Sequence, residues 1–290
     1  PKGLGALDLS FCISAMNPHS RRVVLGKRMA IAKKKSAAKP AARVAPMKAA
    51  DTKDLTAKAF MAKLKTFQSD DELRKIKGYF KSGEGQYGHG DTFIGVRMGT
   101  LFALAKSFVQ MSPAEIERLM ESDIHEARAG AMSIMGQQAM LKTTTEARRK
   151  ELYDLYLRRH DRINNWDLVD LAAKPVIGQY LADKPRTILR KLAKSKNLWE
   201  RRTALYACLW FIMKEKTVDD TEAVCEILIN EKEEIIQKAL GGLVRCIGID
   251  RPRLHAFLDR HAATMPRVAL RYAVEKLSAA DKKKYMAMGK

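Results

Sequence analysis

Leu198-Trp199-Glu200-Arg201-Arg202-Thr203-Ala204-Leu205-Tyr206-Ala207-Cys208-Leu209-Trp210-Phe211-Ile212 is the stretch that decides the fold. Leu198, Leu205, Leu209 and Ile212 fall on one stripe at the three-and-four spacing of an amphipathic helix. A second stripe upstream holds Ile163, Trp166, Ala173, Ile177 and Leu181. From Asp51 onward helix-forming residues dominate, and no useful length of chain alternates with the period of two that a half-buried strand needs. Helix starts are expected at Ser112 before Pro113, at Asp183 shortly before Pro185, at Asp219 and at Ser278, each a side chain that can accept a hydrogen bond from an exposed first-turn N–H. Connections are short. Only Ser82 to Asp91, with Gly83, Gly85, Gly88 and Gly90, reads as a true loop.

A weak repeat runs through the helices: a bulky residue, then a basic one, then small ones. It occurs as Ile124-His-Glu-Ala-Arg128-Ala129, Trp199-Glu-Arg-Arg202-Thr-Ala204, Ile236-Gln-Lys238-Ala239 and Met265-Pro-Arg267-Val-Ala269. Trp166 and Trp199 are 33 residues apart, and Trp199 and Ile236 are 37 apart. Such periods predict two-helix units stacked as a solenoid of antiparallel pairs over residues 51–290, a HEAT-like α-α superhelix. One basic residue per repeat would line a concave face with positive charge. Arg128, Lys238, Arg245 and Arg267 are the residues expected there, and solvated helix faces are the alternative.

Charge points the same way. The chain of 290 residues carries 54 Lys and Arg against 33 Asp and Glu, a net charge of +21, which favours a polyanionic partner, with DNA or RNA first. Residues 1–50 hold eleven of the basic residues and one acid, and the part from Met29 to Ala50 is mostly Ala, Lys and Pro. With no apolar period to bury, residues 1–50 are expected to be a disordered basic tail, either tethering DNA or serving as a solubilising leader. Cys12, Cys208, Cys225 and Cys246 form no C-x-x-C pair and have no His at zinc spacing, so a reducing compartment and no metal are expected. No run of eighteen apolar residues and no secretory pattern is present, and a bacterial cytosolic or nucleoid location follows as the expectation. No phosphate loop, G-x-S-x-G or H-E-x-x-H motif is present, and no cofactor is expected.

Two charged residues interrupt the apolar stripes. Asp170 lies four residues after Trp166, and Arg202 lies between Leu198 and Leu205. A buried charge there costs several kcal/mol unless it is paired or lines a cleft. The pattern allows either an ion pair that locks two repeats or a carboxylate and guanidinium opening on a groove.

The blocks Gly88-His-Gly-Asp91-Thr-Phe-Ile-Gly95-Val96, Leu104-Ala105-Lys106, Ile163-Asn-Asn-Trp166-Asp167-Leu-Val-Asp170, Leu198-Trp199-Glu-Arg-Arg202, Ile236-Gln-Lys-Ala-Leu-Gly241 and Met265-Pro-Arg267 ahead of Leu270-Arg271-Tyr272 follow one another in order. In that order the chain from about Asp70 onward resembles the DNA alkylation repair family, the AlkD-type HEAT-like alkylpurine DNA glycosylases. The resemblance implies removal of positively charged N3- or N7-alkylated purines from duplex DNA by hydrolysis of the N-glycosidic bond, without flipping the base into a pocket; a monomer is the expectation for the chain. It makes Asp170 the catalytic carboxylate, Trp166 an aromatic wall and Arg202 the accompanying arginine. A cationic base leaves without a general acid, and a fixed carboxylate and an indole face suit the oxocarbenium character that then builds on the sugar. The chain departs from the family at Gly242, where a second tryptophan is usual, at Cys246, where an acid is common, and at Gly99 and Phe102, which replace a proline and an arginine. A non-catalytic HEAT-like DNA-binding scaffold is the alternative reading.

Overall fold

A computed structural model describes residues 47–288. The tail expected over residues 1–50 therefore lies almost wholly outside the described residues. Those residues fall into two compact units, one running to Pro185 and one starting at Arg186.

The first unit holds α1 (Ala57–Lys65), α2 (Asp70–Tyr79), α3 (Met98–Ser107), α4 (Pro113–Met120), α5 (His125–Met140), α6 (Glu146–Arg158) and α7 (Trp166–Ala172). It is a two-layer stack. The inner helices α3, α5 and α7 pack side by side, and α1, α4 and α6 pack behind them. The second unit repeats the arrangement: α9 (Leu198–Trp210), α11 (Glu234–Ile247) and α13 (Arg267–Ala273) form one layer, and α8 (Thr187–Ala193) and α10 (Asp219–Ile227) pack as their partners. α12 (Arg251–His261) packs on α11, and α14 (Ala279–Met288) on α13. The fold is the all-α HEAT-like one that the periodicity predicts. Among the described residues no strand forms; Thr92 and Ile124 make one isolated bridge.

Capping explains most helix starts. Thr56, Ser69, Ser112, Thr145, Asn165, Asn197 and Asp250 each accept a first-turn N–H through the side chain. Ser112 with Pro113 behaves as the sequence predicts, and Ser278 accepts from the N–H of Asp281. Asp219 is the first residue of α10 rather than its cap, and with Asp220 and Glu222 it puts three acids at the positive end of the helix dipole. The Asp183 expectation is corrected: α8 starts at Thr187. A residue before proline avoids helical geometry, so Pro185 keeps Lys184 out of a helix. The carboxylate of Asp183 pairs with Lys184 instead.

The repeat has a physical origin that its basic residues only partly reveal. Arg128 donates through Nη1 to the carbonyl of Ser122 at 2.7 Å. Arg201 donates through Nη1 to the carbonyl of Ser195 at 3.0 Å. Gln237 donates through Nε2 to the carbonyl of Glu231 at 2.9 Å. Each donor is the fourth residue of an inner helix and reaches back six residues to staple the loop that precedes that helix. The repeat register therefore aligns Arg128 with Arg201 and Gln237, one residue before Arg202 and Lys238. Adjacent basic residues are indistinguishable by pattern, and the helix start resolves them.

Candidate functional site

The irregular segment from Phe80 to Arg97 is held by the first turn of α5. The carboxylate of Glu126 accepts the backbone N–H groups of Ile94, Gly95 and Val96 at 2.8–3.2 Å. Gly95 has φ +79°, and a Cβ there would lie 2.2 Å from the carbonyl of Ser69, so only glycine fits. Asp91, whose side chain is 1% exposed, is the hub of the clasp. It accepts from Arg128, from Asn164 at 2.8 Å and from Asn165 at 2.9 Å, and its Oδ2 lies 3.2 Å from Nδ1 of His125. The other nitrogen of His125 lies 2.8 Å from Oδ2 of Asp167 in the first turn of α7.

These contacts set the charge state. Burial alone would push the His125 imidazole down, but the flanking carboxylates of Asp167 and Asp91 outweigh it and hold the pKa at about 9. Burial likewise opposes ionisation of Asp91, yet its bonds to His125, Asn165 and Asn164 bring its pKa to about 2. At neutral pH an imidazolium thus bridges two buried carboxylates, and each ring nitrogen donates. Three of the sequence blocks, Gly88–Val96, Ile124–Arg128 and Ile163–Asp170, meet in this clasp and fix the entry to α7.

Trp166 is the first residue of α7 and is 6% exposed. Its ring stacks on Phe80 at 5.5 Å and 20°, and Phe80 in turn stacks on Phe93 at 5.0 Å. Among the described residues its indole N–H finds no hydrogen-bond partner. Trp166 is thus packed within an aromatic cluster.

One turn later the helix changes gauge. Ala173–Gly178 form a wide π-helical turn after α7. Pro175 has no N–H to return to the carbonyl of Leu171, so the α-helical ladder cannot continue. Gly136 of α5 faces that carbonyl; a Cβ at Gly136 would sit 2.7 Å from Leu171 O. The close approach leaves half-buried Asp170 on the wall of a cavity of about 870 Å³. Its lining comes from the three inner helices and the wide turn: Phe102 and Lys106, Ser133 and Met140, then Asp170 and Lys174.

In the second unit, Arg202 is 1% exposed. Its guanidinium donates to the hydroxyl of Tyr206 at 2.7 Å and to the carbonyl of Ile235 at 3.2 Å. Asp170, Arg202 and Lys238 each occupy the fifth position of their inner helices. Gly242 is buried within α11. Of the residues expected to meet phosphate, Arg128 and Arg245 are buried at 4% and 5% exposure. Arg128 pairs with Asp91, and Arg245 pairs with Glu275 at 2.6 Å. Both arginines thus make interior ion pairs, because an inner-helix arginine can reach an acid on the neighbouring loop or helix. Lys238 is partly exposed and pairs with Glu234, while Arg267 is exposed and donates to the carbonyl of Met286. Pattern reading missed Asp91, His125, Glu126 and Asp167; the signal was the His-Glu-x-Arg run falling 34 residues after Asp91. Among the described residues no group of His, Cys, Asp or Glu could hold a metal, and Cys208, Cys225 and Cys246 are buried free thiols.

The family model for DNA alkylation repair enzymes matches residues 60–277. The solved structure of a predicted DNA alkylation repair enzyme from Enterococcus faecalis is similar in fold, with a TM-score of 0.56 and 21% identity over 73% of this chain and 97% of that one. No curated protein matches the chain.

Proposed function

The chain belongs to the DNA alkylation repair enzyme family, and from that premise we propose that it is a DNA glycosylase that excises cationic N3- or N7-alkylated purines from duplex DNA. The observation that carries this reading is Asp170: a half-buried carboxylate on the wall of a cavity, set there by the clasp on one side and the wide turn on the other. Departure of an alkylated purine needs no proton, because the base already carries its positive charge. The barrier lies in the electron-poor sugar left behind. In this reading Asp170 stabilises that charge and orients the attacking water, which becomes the new hydroxyl at C1′ as its proton passes to solvent. Arg202, held by Tyr206 and Ile235, supplies fixed positive charge to the DNA, with Lys238 and Arg267 as phosphate contacts on the partly exposed faces. The partner is alkylated duplex DNA, the protein works as a monomer, and the site asks for no metal or cofactor.

A second reading is a non-catalytic DNA-binding scaffold. It is favoured by Gly242, which supplies no aromatic wall, and by the burial of Trp166 against Phe80. Release of free 7-methylguanine or 3-methyladenine from methylated duplex DNA separates the two: release establishes the enzyme, and DNA binding without release establishes the scaffold.

A further inference from the structure

Inner helix α5 is buried almost from end to end, yet it carries a serine, Ser133, 5% exposed, on the wall of the cavity that holds Asp170. A buried helical hydroxyl ordinarily donates back to a carbonyl one turn earlier. Ser107 does so, to the carbonyl of Leu104 at 2.8 Å, and the Cys208 thiol does so to Ala204. Ser133 does not. Its oxygen instead accepts from Nε2 of half-buried Gln137, one turn later, at 3.0 Å. Gln138, the next residue, turns away and donates to the carbonyls of Val109 and Met111. Gln137 lines the same cavity as Ser133 and Asp170. Among the described residues the bond between Ser133 and Gln137 is the whole of their side-chain pairing, so the hydroxyl proton and the amide carbonyl are left to the cavity. The register is set by the helix contact: Gly136, beside Gln137, abuts the carbonyl of Leu171, beside Asp170.

We propose that Ser133 and Gln137 are a water-positioning pair that holds the nucleophile against Asp170. This rests on the glycosylase reading and deepens it. A lone carboxylate takes one proton of a water molecule and leaves the rest free to swing; aiming its lone pair at a carbon takes further contacts. The pair supplies them from the helix that abuts α7. The Ser133 hydroxyl donates to the water oxygen, the Gln137 carbonyl accepts the second proton, and one lone pair remains for attack. Water approaches C1′ from the face opposite the departing base, so only the edge of the sugar has to meet this wall and the base stays in the duplex. The bond to the purine breaks with its electron pair going to the cationic ring. The water oxygen bonds to C1′, and its surplus proton leaves past the Asp170 carboxylate to solvent. Both positioning groups are neutral, so they hold the water without adding positive charge beside a sugar that is becoming a cation.

The test is single-turnover release of 7-methylguanine from methylated duplex DNA, in water and in dilute methanol, with duplex affinity and thermal midpoint measured alongside. In methanol the sugar is recovered either hydrolysed or as its methyl glycoside. The wild-type chain is expected to favour water well beyond the molar ratio of the two solvents, because methanol lacks one of the two protons that the cradle holds. Ser133→Ala and Gln137→Met should each lower release roughly ten- to a hundredfold, the cost of a misplaced reactant. Duplex affinity should stay within about twofold, because phosphate contacts carry it. The double variant should release no more than about twofold slower than the slower single one, because the pair acts as a unit. The methyl glycoside share should rise toward the solvent ratio in all three, a change that loosened packing alone does not produce. Release at the wild-type rate in both single variants overturns the inference and leaves the glycosylase reading standing. Slower release with a lower midpoint or weaker duplex binding, and an unchanged methyl glycoside share, assigns the pair to packing or DNA contact and also overturns it. No release by the wild-type chain overturns both.

Discussion

His125 donates through Nε2 to Asp167 across 2.8 Å, tying the first turn of α5 to the first turn of α7, one helical turn before Asp170. With Asp91 on its other nitrogen, the imidazolium is the one cationic ring among the partners that both carboxylates share. Removing it leaves two buried carboxylates facing an empty site. His125→Ala should therefore cost about 3–5 kcal/mol of unfolding free energy, read as a lower denaturation midpoint. A loss below about 1 kcal/mol would show that the clasp does not hold α7.

The same pair sets a pH window. His125 is raised from 6.5 to about 9, so its contribution is complete below about 6.5 and fades as pH rises through 9. Asp91 is lowered from 3.8 to about 2, so its contribution is complete above about 3.8 and fades as pH falls through 2. Thermal unfolding should show a plateau between those limits and an alkaline decline of up to a few kcal/mol, on the order of 3 for a shift of that size. In His125→Gln the step near pH 9 should vanish. Persistence of the step in that variant would assign it to another group.

Arg128 and Lys238 should part company. Arg128→Ala unpairs buried Asp91 and releases the staple on Ser122, so stability should fall by about 3 kcal/mol or more. Lys238→Ala touches a partly exposed pair and should change stability by less than about 1 kcal/mol while lowering the salt slope of DNA binding by about one. Equal effects of the two substitutions on the salt slope would place Arg128 on the DNA face.

Gly136→Ala tests the wide turn. A methyl group would lie 2.7 Å from the carbonyl of Leu171, so α5 and the turn must separate. A loss of about 1–3 kcal/mol is expected, as for overpacking elsewhere in a core. A neutral result would mean that the turn yields freely and does not fix Asp170.

The helical class and the layered stack were legible because the stripe of Leu205, Leu209 and Ile212 has one reading, and the three-and-four spacing is carried by the residues themselves. The clasp was not. Asp91 and Asp167 are 76 residues apart, and nothing local in either block demands the other. The ion pairs of Arg128 and Arg245 were hidden for a related reason: a basic residue at a regular spacing looks the same whether it faces phosphate or a buried acid. Asp170 stood out as a charge on an apolar stripe, and it proves half-buried at a cavity, whereas Trp166, four residues earlier, turns into the aromatic cluster. The wide turn was written in Pro175, whose missing N–H ends the α-helical ladder, but its consequence depended on Gly136 in another helix.

The central claim is that Asp170 does chemistry on alkylated DNA, and base release by wild type and Asp170→Asn tests it most directly. Methylated duplex DNA is incubated with each protein, and free 7-methylguanine and 3-methyladenine are quantified, with thermal midpoint and DNA affinity measured alongside. The account predicts release by wild type and a fall of roughly a hundredfold or more in Asp170→Asn, since a neutral amide no longer stabilises charge on the sugar. The midpoint should hold, and duplex affinity should be unchanged or higher. Release by Asp170→Asn at the wild-type rate, or no release by wild type despite tight duplex binding, would contradict it.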